Sequence, residues 1–391
     1  MTDIVYGSVS SPTREPIGSY WWHTIDRVSL AFVLGLFGIG ILLGLAASPP
    51  LAVKNGYMPL YYVNRQLCFG GLSILVMVFF SMLSPQSIRR LGVIGFLLAF
   101  IALAFLPIFG TDFGKGSIRW YSLGFSSVQP SEFLKPFFVI LTAWLIASSS
   151  EINGPPGKLI SFFIAILVSL FLAIQPDFGQ ASLILASWGM IYFVAGAPLI
   201  LLLVVVMSIL GAGILAYNIS EHFARRIDGF LIAEIDPNTQ IGYATNAIQE
   251  GGIFGVGVGE GIVKSVLPDA HTDFIIAVAA EEYGLIFVLL IIFVYLSITV
   301  RSLFRLIKER NSFIRLAGTG LAVLFAAQAL INLGVAVRLL PAKGMTLPFI
   351  SYGGSSLLAG GIALGMLLDF TRERAQGVIG DAIGQNKVGK S

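Results

Sequence analysis

Residues 264–300 read KSVLPDAHTDFIIAVAAEEYGLIFVLLIIFVYLSITV. A short polar run, PDAHTD, gives way at Phe274 to an apolar stretch that continues to Val300. The hydrocarbon core of a bilayer takes about 20 apolar residues in helical form, so 273–300 reads as a membrane-spanning helix. Two acids, Glu281 and Glu282, interrupt it. An ionised carboxylate at that depth costs on the order of 2.5–3.5 kcal/mol and is retained where it meets a cation or a wet cavity. At the mouth, Thr272 reads as the N-cap of a helix that begins at Asp273, where the helix dipole favours an anion. Asp273 and Glu281 would then project within roughly 80° of each other and about 12 Å apart. The expectation is one polar helix face running inward from the mouth.

The rest of the chain has the same character. Of its 391 residues, 56% are hydrophobic and only 12% charged, about half the charged fraction of a soluble domain. Ten spans can be laid out, at 28–48, 66–83, 91–109, 131–148, 159–175, 180–196, 198–217, 273–300, 316–337 and 346–370. The fold class is therefore an all-α membrane protein of about ten transmembrane helices. Residues 1–27 form an N-terminal segment, 28–370 one bundle, and 371–391 a polar, glycine-rich tail expected to be disordered. The longest connection, 218–272, joins spans seven and eight. The N-terminal stretch is too polar for a cleavable leader.

Orientation follows from Lys and Arg, which favour the cytoplasmic side. Arg89, Arg90, Arg301, Arg305, Lys308, Arg310, Arg315, Arg372 and Arg374 fall on one side of the layout. That side, with both termini, is expected to be cytoplasmic, and the loop 218–272 and PDAHTD extracytoplasmic. Gly40 with Gly44 and Gly361 with Gly365 read as close helix packing.

Several functions are set aside by the residues. A net charge of +3 gives no footprint for nucleic acid. The single cysteine, Cys68, allows no internal disulfide. Three histidines without paired spacing do not make a zinc site. GGIFGVGVGEG, 251–261, is not a phosphate-binding loop, because no strand precedes it; it reads as a flexible or re-entrant loop.

Two more polar patches lie on the same side as PDAHTD. GKGSIRWYSLGFSSVQPSEFLKP, 114–136, holds Arg119, Glu132 and Lys135, with a helix start at Pro130 or Ser131 and a local Glu132–Lys135 ion pair. NLGVAVRLLPAKGMTLPFISYGGSS, 332–356, brings Arg338, Lys343, Ser351 and Ser355 into a stretch broken by proline and glycine. Non-helical backbone at membrane depth persists where it lines protein or water, so a broken helix beside a cavity is expected there. QPDFGQ puts Asp177 in a tight turn.

Together RWYSLGFSSVQPSEFLK, QPDFGQASL, LPDAHTDFIIAVAAEEYG and LPAKGMTLPFISYGGSSLL resemble the motifs of the SEDS family of bacterial shape, elongation, division and sporulation proteins. The resemblance covers roughly 25–375. AKGMTLPFISYGGSS, with Lys343, and the N-terminal extension are most like the division branch. One departure is Asp269, where the family often has Glu.

The resemblance implies a ten-helix bundle in the cytoplasmic membrane, acting at the division septum as a peptidoglycan glycosyltransferase that polymerises lipid II. It implies work beside a class B penicillin-binding protein, the FtsI-type transpeptidase, and other division proteins. The aspartate of the HTDF motif, Asp273 here, is implied as the catalytic base. The leaving pyrophosphate needs cations. Lys343 and Arg119 are the first candidates, then Arg338, Lys264 and Lys135. Glu281, His271, Ser351 and Ser355 are further candidate substrate contacts. A divalent cation, Mg²⁺ or Mn²⁺, could share the charge, with Asp273 as its ligand. No organic cofactor is implied. The rival readings are a lipid II flippase or other transporter, a scaffold, and an elongation-type polymerase.

Overall fold

The structure is a computed structural model that describes residues 17–112, 118–124, 126–219, 221, 224, 228, 239–341 and 344–373. The N-terminal sixteen residues, Lys343, much of 220–238 and the tail from 374 lie outside the described residues.

Helices dominate because a backbone inside a bilayer must satisfy its own hydrogen bonds. In order they are α1 (Ile17–Thr24), α2 (Arg27–Lys54), α3 (Tyr61–Ser81), α4 (Pro85–Phe109), α5 (Pro130–Ser148), α6 (Gly157–Ile174), α7 (Phe178–Val194), α8 (Leu199–Ile219), α9 (Gln240–Gly251), α10 (Ile275–Ile307), α11 (Ser312–Ala336) and α12 (Gly354–Phe370). Among the described residues seven are long and apolar enough to cross a membrane, and α7 and α12 are shorter apolar helices. Each of the ten expected spans overlaps one of α2–α8 or α10–α12. Local chemistry sets the starts. Asp26, Ser84 and Asn311 accept the backbone N–H of Ser29, Ser87 and Ile314 as N-caps. Pro85 and Pro130 occupy first-turn positions, where no N–H is needed.

Alternating helices define two ends. At the Asp26 end, Asp26 is buried and accepts from Arg301 at 2.8 Å and from Arg305 at 3.3 Å. There α12 meets α1: the Glu373 N–H donates to Thr24 O at 3.0 Å, and Arg372 donates to the Thr24 hydroxyl. At the other end, the Asp273 end, lie α9, the loops around 252–274, the chain 344–353, and a two-stranded hairpin. The hairpin pairs β1 (Tyr121–Ser122) with β2 (Ser127–Val128), Tyr121 facing Val128.

Glycines let backbones meet, as their spacing suggests. A Cβ on Gly40 would lie 2.7 Å from the carbonyl oxygens of Phe349 and Ile350, and Gly44 stands against Gln66. Gly361 and Gly365 close on the Ser73 and Met77 carbonyls of α3. One apolar core runs through α2 and α9–α12, and a second joins α4–α7.

Three local features differ from the sequence reading. The last span, expected from 346, is helical only from Gly354, and the non-helical 346–353 before it matches the broken helix expected within 332–356. Helix α9 and the hairpin were not expected. Most informative is α10. It starts at Ile275 rather than Asp273, and residues 271–274 are turns. Thr272 does not cap it; its hydroxyl donates back to Asp269 O at 3.1 Å.

Helix α10 also breaks at Gly284, where φ is 77° and ψ −178°. The glycine-rich loop fills the break. Val256 N and Gly257 N donate to Glu281 O and Glu282 O, at 2.8 and 3.2 Å. Leu285 N donates to Gly252 O at 3.0 Å. The loop 251–257 is thus clamped to the helix and satisfies the backbone groups that the kink releases.

Candidate functional site

Asp273 sits half-buried at the mouth of the bundle, two residues before α10. A turn centred on Asp269, itself at φ 53°, sets its backbone: the N–H groups of Thr272 and Asp273 both donate to Asp269 O at 3.1 Å. The side-chain amide of Asn332 on α11 donates to Asp273 O at 2.9 Å and to Met345 O at 2.6 Å. This bridge holds the chain 344–346 against Asp273. Gly344 adopts φ 62°, and a Cβ there would stand 3.5 Å from Asp273 Oδ2. The carboxylate therefore lies beside the backbone that follows Lys343.

His271 is buried, and its ring forms a three-membered cluster with two tyrosines. Tyr62 of α3 is 5.0 Å away between centroids, and Tyr352 is stacked 5.5 Å away at an interplanar angle of 27°. Tyr352 N also donates to His271 O at 2.9 Å. Rings and backbone together fix the approach to Asp273.

Behind the mouth runs a buried polar relay. Gln180 of α7 donates to Glu132 Oε1 at 2.6 Å, and Lys135 Nζ donates to Glu132 Oε2 at 2.9 Å. Lys135 also donates to Gln328 Oε1 at 3.0 Å, and Gln328 donates onward to Thr346 O at 3.1 Å. Thr346 then pairs through its hydroxyl with Ser356 at 2.6 Å. Lys135 is 2% exposed. The expected Glu132–Lys135 pair is present, but Lys135 lies inside the bundle, as a link to the 344–346 chain rather than a cation at the mouth.

Arg119 is spent on a turn. Its guanidinium donates to Gln175 O at 3.1 Å and to Pro176 O, and stands 3.9 Å from Asp177. Gln129 donates to the other Asp177 oxygen at 3.3 Å. Burial pushes the Asp177 carboxyl above the usual carboxylate range, against the pull of Arg119.

Glu281 and Glu282 do not continue a polar face from Asp273. The helix geometry that would align them starts only after Asp273, and both carboxylates turn to the loop before it. Glu281 accepts the backbone N–H of Val263 at 2.7 Å and of Lys264 at 3.0 Å. Glu282 takes the Lys264 ammonium and the Gly259 N–H. Both acids are buried, so these bonds offset their desolvation.

The two serines serve the backbone. Ser351 Oγ accepts from Leu347 N at 2.9 Å, and Ser355 bonds Gln129 N and Ser127 O. Arg338 lies in a left-handed turn at the end of α11, at φ 60°. Of the expected site residues, then, the structure gathers Asp273 and His271 at the mouth and leaves Arg119, Lys135, Lys264, Glu281, Ser351 and Ser355 in its supports. Lys343, expected to be a cation of the site, lies outside the described residues. The sequence reading missed Asn332 and Gln328, four positions apart in an apolar helix. That spacing places two amides on one face and was a usable signal. Tyr62 and Tyr352 gave no such signal, because their contact is between distant segments. Among the described residues no three His, Cys, Asp or Glu side chains gather as metal ligands.

The family model described as "Cell cycle protein", FTSW_RODA_SPOVE, matches residues 27–376. The chain is 40% identical over 369 residues to the "Probable peptidoglycan glycosyltransferase FtsW" of Caulobacter vibrioides, covering 92% of each chain. It is 34% identical to the like-named protein of Trichlorobacter lovleyi, over 88% of this chain and 93% of that one. Among solved structures it superposes with a TM-score of 0.72 and 26% identity on a chain described under "Structural coordination of polymerization and crosslinking by a peptidoglycan synthase complex", covering 90% and 99% of the two chains. The rod shape determining protein RodA of Thermus thermophilus gives a TM-score of 0.67 at 25% identity, over 91% and 99%. The motifs, the helical bundle and a match along nearly the whole length agree: the chain belongs to the SEDS family, with FtsW proteins among its relatives.

Proposed function

We infer that this chain is a peptidoglycan glycosyltransferase that polymerises lipid II, with Asp273 as its base. The observation that carries this reading is the setting of Asp273: a half-buried carboxylate at the mouth, its main chain fixed by Asn332 and its Oδ2 beside Gly344. The names of the relatives support the reaction class. In the reaction, Asp273 takes the proton from the acceptor sugar hydroxyl. The hydroxyl oxygen forms the new bond to the anomeric carbon of the donor. The bond from that carbon to the pyrophosphate oxygen breaks, and its electron pair leaves with the lipid pyrophosphate. Lys343, next in sequence to Gly344, is the proposed cation for that leaving group, with Arg338 at the same end. A Mg²⁺ or Mn²⁺ ion would come with the substrate phosphates, and no step here runs through a resident metal.

The proposed topology has ten spans, with the Asp273 end extracytoplasmic and both termini cytoplasmic. The cations Arg89, Arg301, Arg305 and Arg372 at the Asp26 end support this orientation. The proposed partner is a class B penicillin-binding protein of the FtsI type, and the proposed site of action is the division septum. Likeness to a chain of a peptidoglycan synthase complex that coordinates polymerization with crosslinking supports such pairing. Transport is disfavoured by the placement of the described relay within the first two turns of α5 and α7 and the last third of α11, toward one end of the bundle.

The test is polymerisation of purified lipid II by wild type and Asp273→Asn, each with and without the partner transpeptidase, in Mg²⁺ or Mn²⁺. Loss of roughly 10²–10⁴-fold in the folded variant is expected of a missing base. Polymer at near-normal rate from Asp273→Asn sinks its role. No polymer from wild type with partner and metal sinks the enzyme reading.

A further inference from the structure

Helix α3 carries one charged residue, Arg65, in an otherwise uncharged sequence. A cation placed there is costly and is kept for an anion or a polar cavity. Its guanidinium is held in place. Nη1 donates to the Tyr61 hydroxyl at 3.1 Å, and the group lies over the rings of Tyr61 and Phe69, at 5.6 and 5.8 Å. A fork fixed in this way loses little freedom when it binds an oxyanion.

Beside it is a cavity of about 530 Å³, lined by Tyr57, Met58, Tyr61, Arg65, Cys68 and Phe69. Met58 and Cys68 are exposed on its outer side, where α3 also presents Leu67 and Leu72. One wall is therefore apolar and open to lipid. The inner wall leads to the site at the mouth. Tyr61 packs on Tyr62 at 5.2 Å, and Tyr62 reaches both His271 and Tyr352, at 5.0 and 5.7 Å. Arg65 is thus joined by three ring contacts to the segment that ends in Asp273.

We propose that this cavity takes the phosphorylated end of a polyprenyl-linked substrate, with Arg65 binding a phosphate oxygen and Met58, Cys68 and Phe69 carrying the first isoprene units. The assignment of this lipid as substrate rests on the function proposed above. The binding itself does not, and the experiment separates the two.

Cys68 is the only cysteine in the chain, so its alkylation reports on the cavity without mutation. The full chain in neutral phosphatidylcholine nanodiscs is treated with N-ethylmaleimide alone, then with undecaprenyl pyrophosphate, phosphatidylglycerol or inorganic pyrophosphate at equal concentration. Undecaprenyl pyrophosphate is expected to slow labelling about tenfold, the other two far less. Arg65→Gln should lose most of that protection and raise KM for lipid II about tenfold, with kcat within about threefold, as expected for a charge-assisted hydrogen bond to the substrate. Arg65→Lys should recover part of both. Should Arg65→Gln fail to insert, Met58→Trp narrows the same cavity from its exposed rim and should likewise weaken protection. Unchanged protection in these variants, or equal protection by phosphatidylglycerol, overturns the proposal and leaves the polymerase reading standing. Protection that depends on Arg65 in a wild-type protein that makes no polymer upholds the lipid-pyrophosphate site and overturns the polymerase reading.

Discussion

The side-chain amide of Asn332 bridges two main-chain segments far apart in sequence, donating to Asp273 O at 2.9 Å and to Met345 O at 2.6 Å. Asn332 is 2% exposed, so solvent does not readily replace those bonds. Asn332→Leu keeps the size and removes both donors. The stability loss should be about 1–3 kcal/mol, the cost of buried acceptors left unsatisfied. Polymerisation should fall further than stability explains, because the 344–346 chain is no longer held beside the carboxylate. Thermal unfolding and single-turnover rates measured on the same preparation separate the two effects.

Lys135 and Glu132 are both nearly inaccessible, with side chains 3% and 7% exposed. Lys135→Met leaves Glu132 with Gln180 alone and should cost about 3–5 kcal/mol. The double variant Glu132→Gln, Lys135→Met removes the stranded charge and should regain most of that loss. If the double variant is no more stable than the single one, the relay is not an energetic unit. Denaturant titration in detergent decides this.

At Gly284 an added Cβ would overlap the Ile253 carbonyl, in a backbone conformation that side chains rarely adopt. Gly284→Val should straighten α10 or expel the loop 251–257 from it. Either way the clamp opens, and limited proteolysis should show new cleavage between 252 and 260. The same digestion of wild type should spare that stretch.

Asp177 gives a pH dependence with a definite sign. Burial raises its carboxyl in the folded chain, so the folded state holds the proton more firmly than the unfolded one. Its contribution is most favourable below the ordinary carboxylate value of about 3.9 and declines as pH rises from there through the folded value. Asp177→Asn removes that decline. The Tm difference between variant and wild type should therefore move in favour of the variant as pH rises from acid toward neutral. A difference that stays flat across this range would show that Arg119 and Gln129 fully offset the burial.

The spans were legible because hydropathy is a local property, and each apolar run forms its helix whatever its neighbours do. Turn chemistry was legible on the same terms, as at Pro130 and the Asp177 turn. The start of α10 was misplaced because Asp269 captures the N–H groups of both Thr272 and Asp273 in a turn, a competition that cap preferences alone do not resolve. The partners of the charges were hidden for another reason. Glu281 and Lys264 meet across 17 positions, and Lys135 and Gln328 across 193. Only the packed bundle makes those pairs neighbours, so sequence could not tell which cations near the mouth hold the fold.

The junction of α3 with α12 also bears on how the chain is made. The Ser73 hydroxyl donates to Leu357 O across 284 positions, and the carbonyls that receive Gly361 and Gly365 belong to the second long helix to emerge. Synthesis runs from the N-terminus. Until α12 leaves the ribosome, the groove on α3 lacks the helix that fills it. A chain stopped before Gly354 would be inserted but left with an open seam along α3.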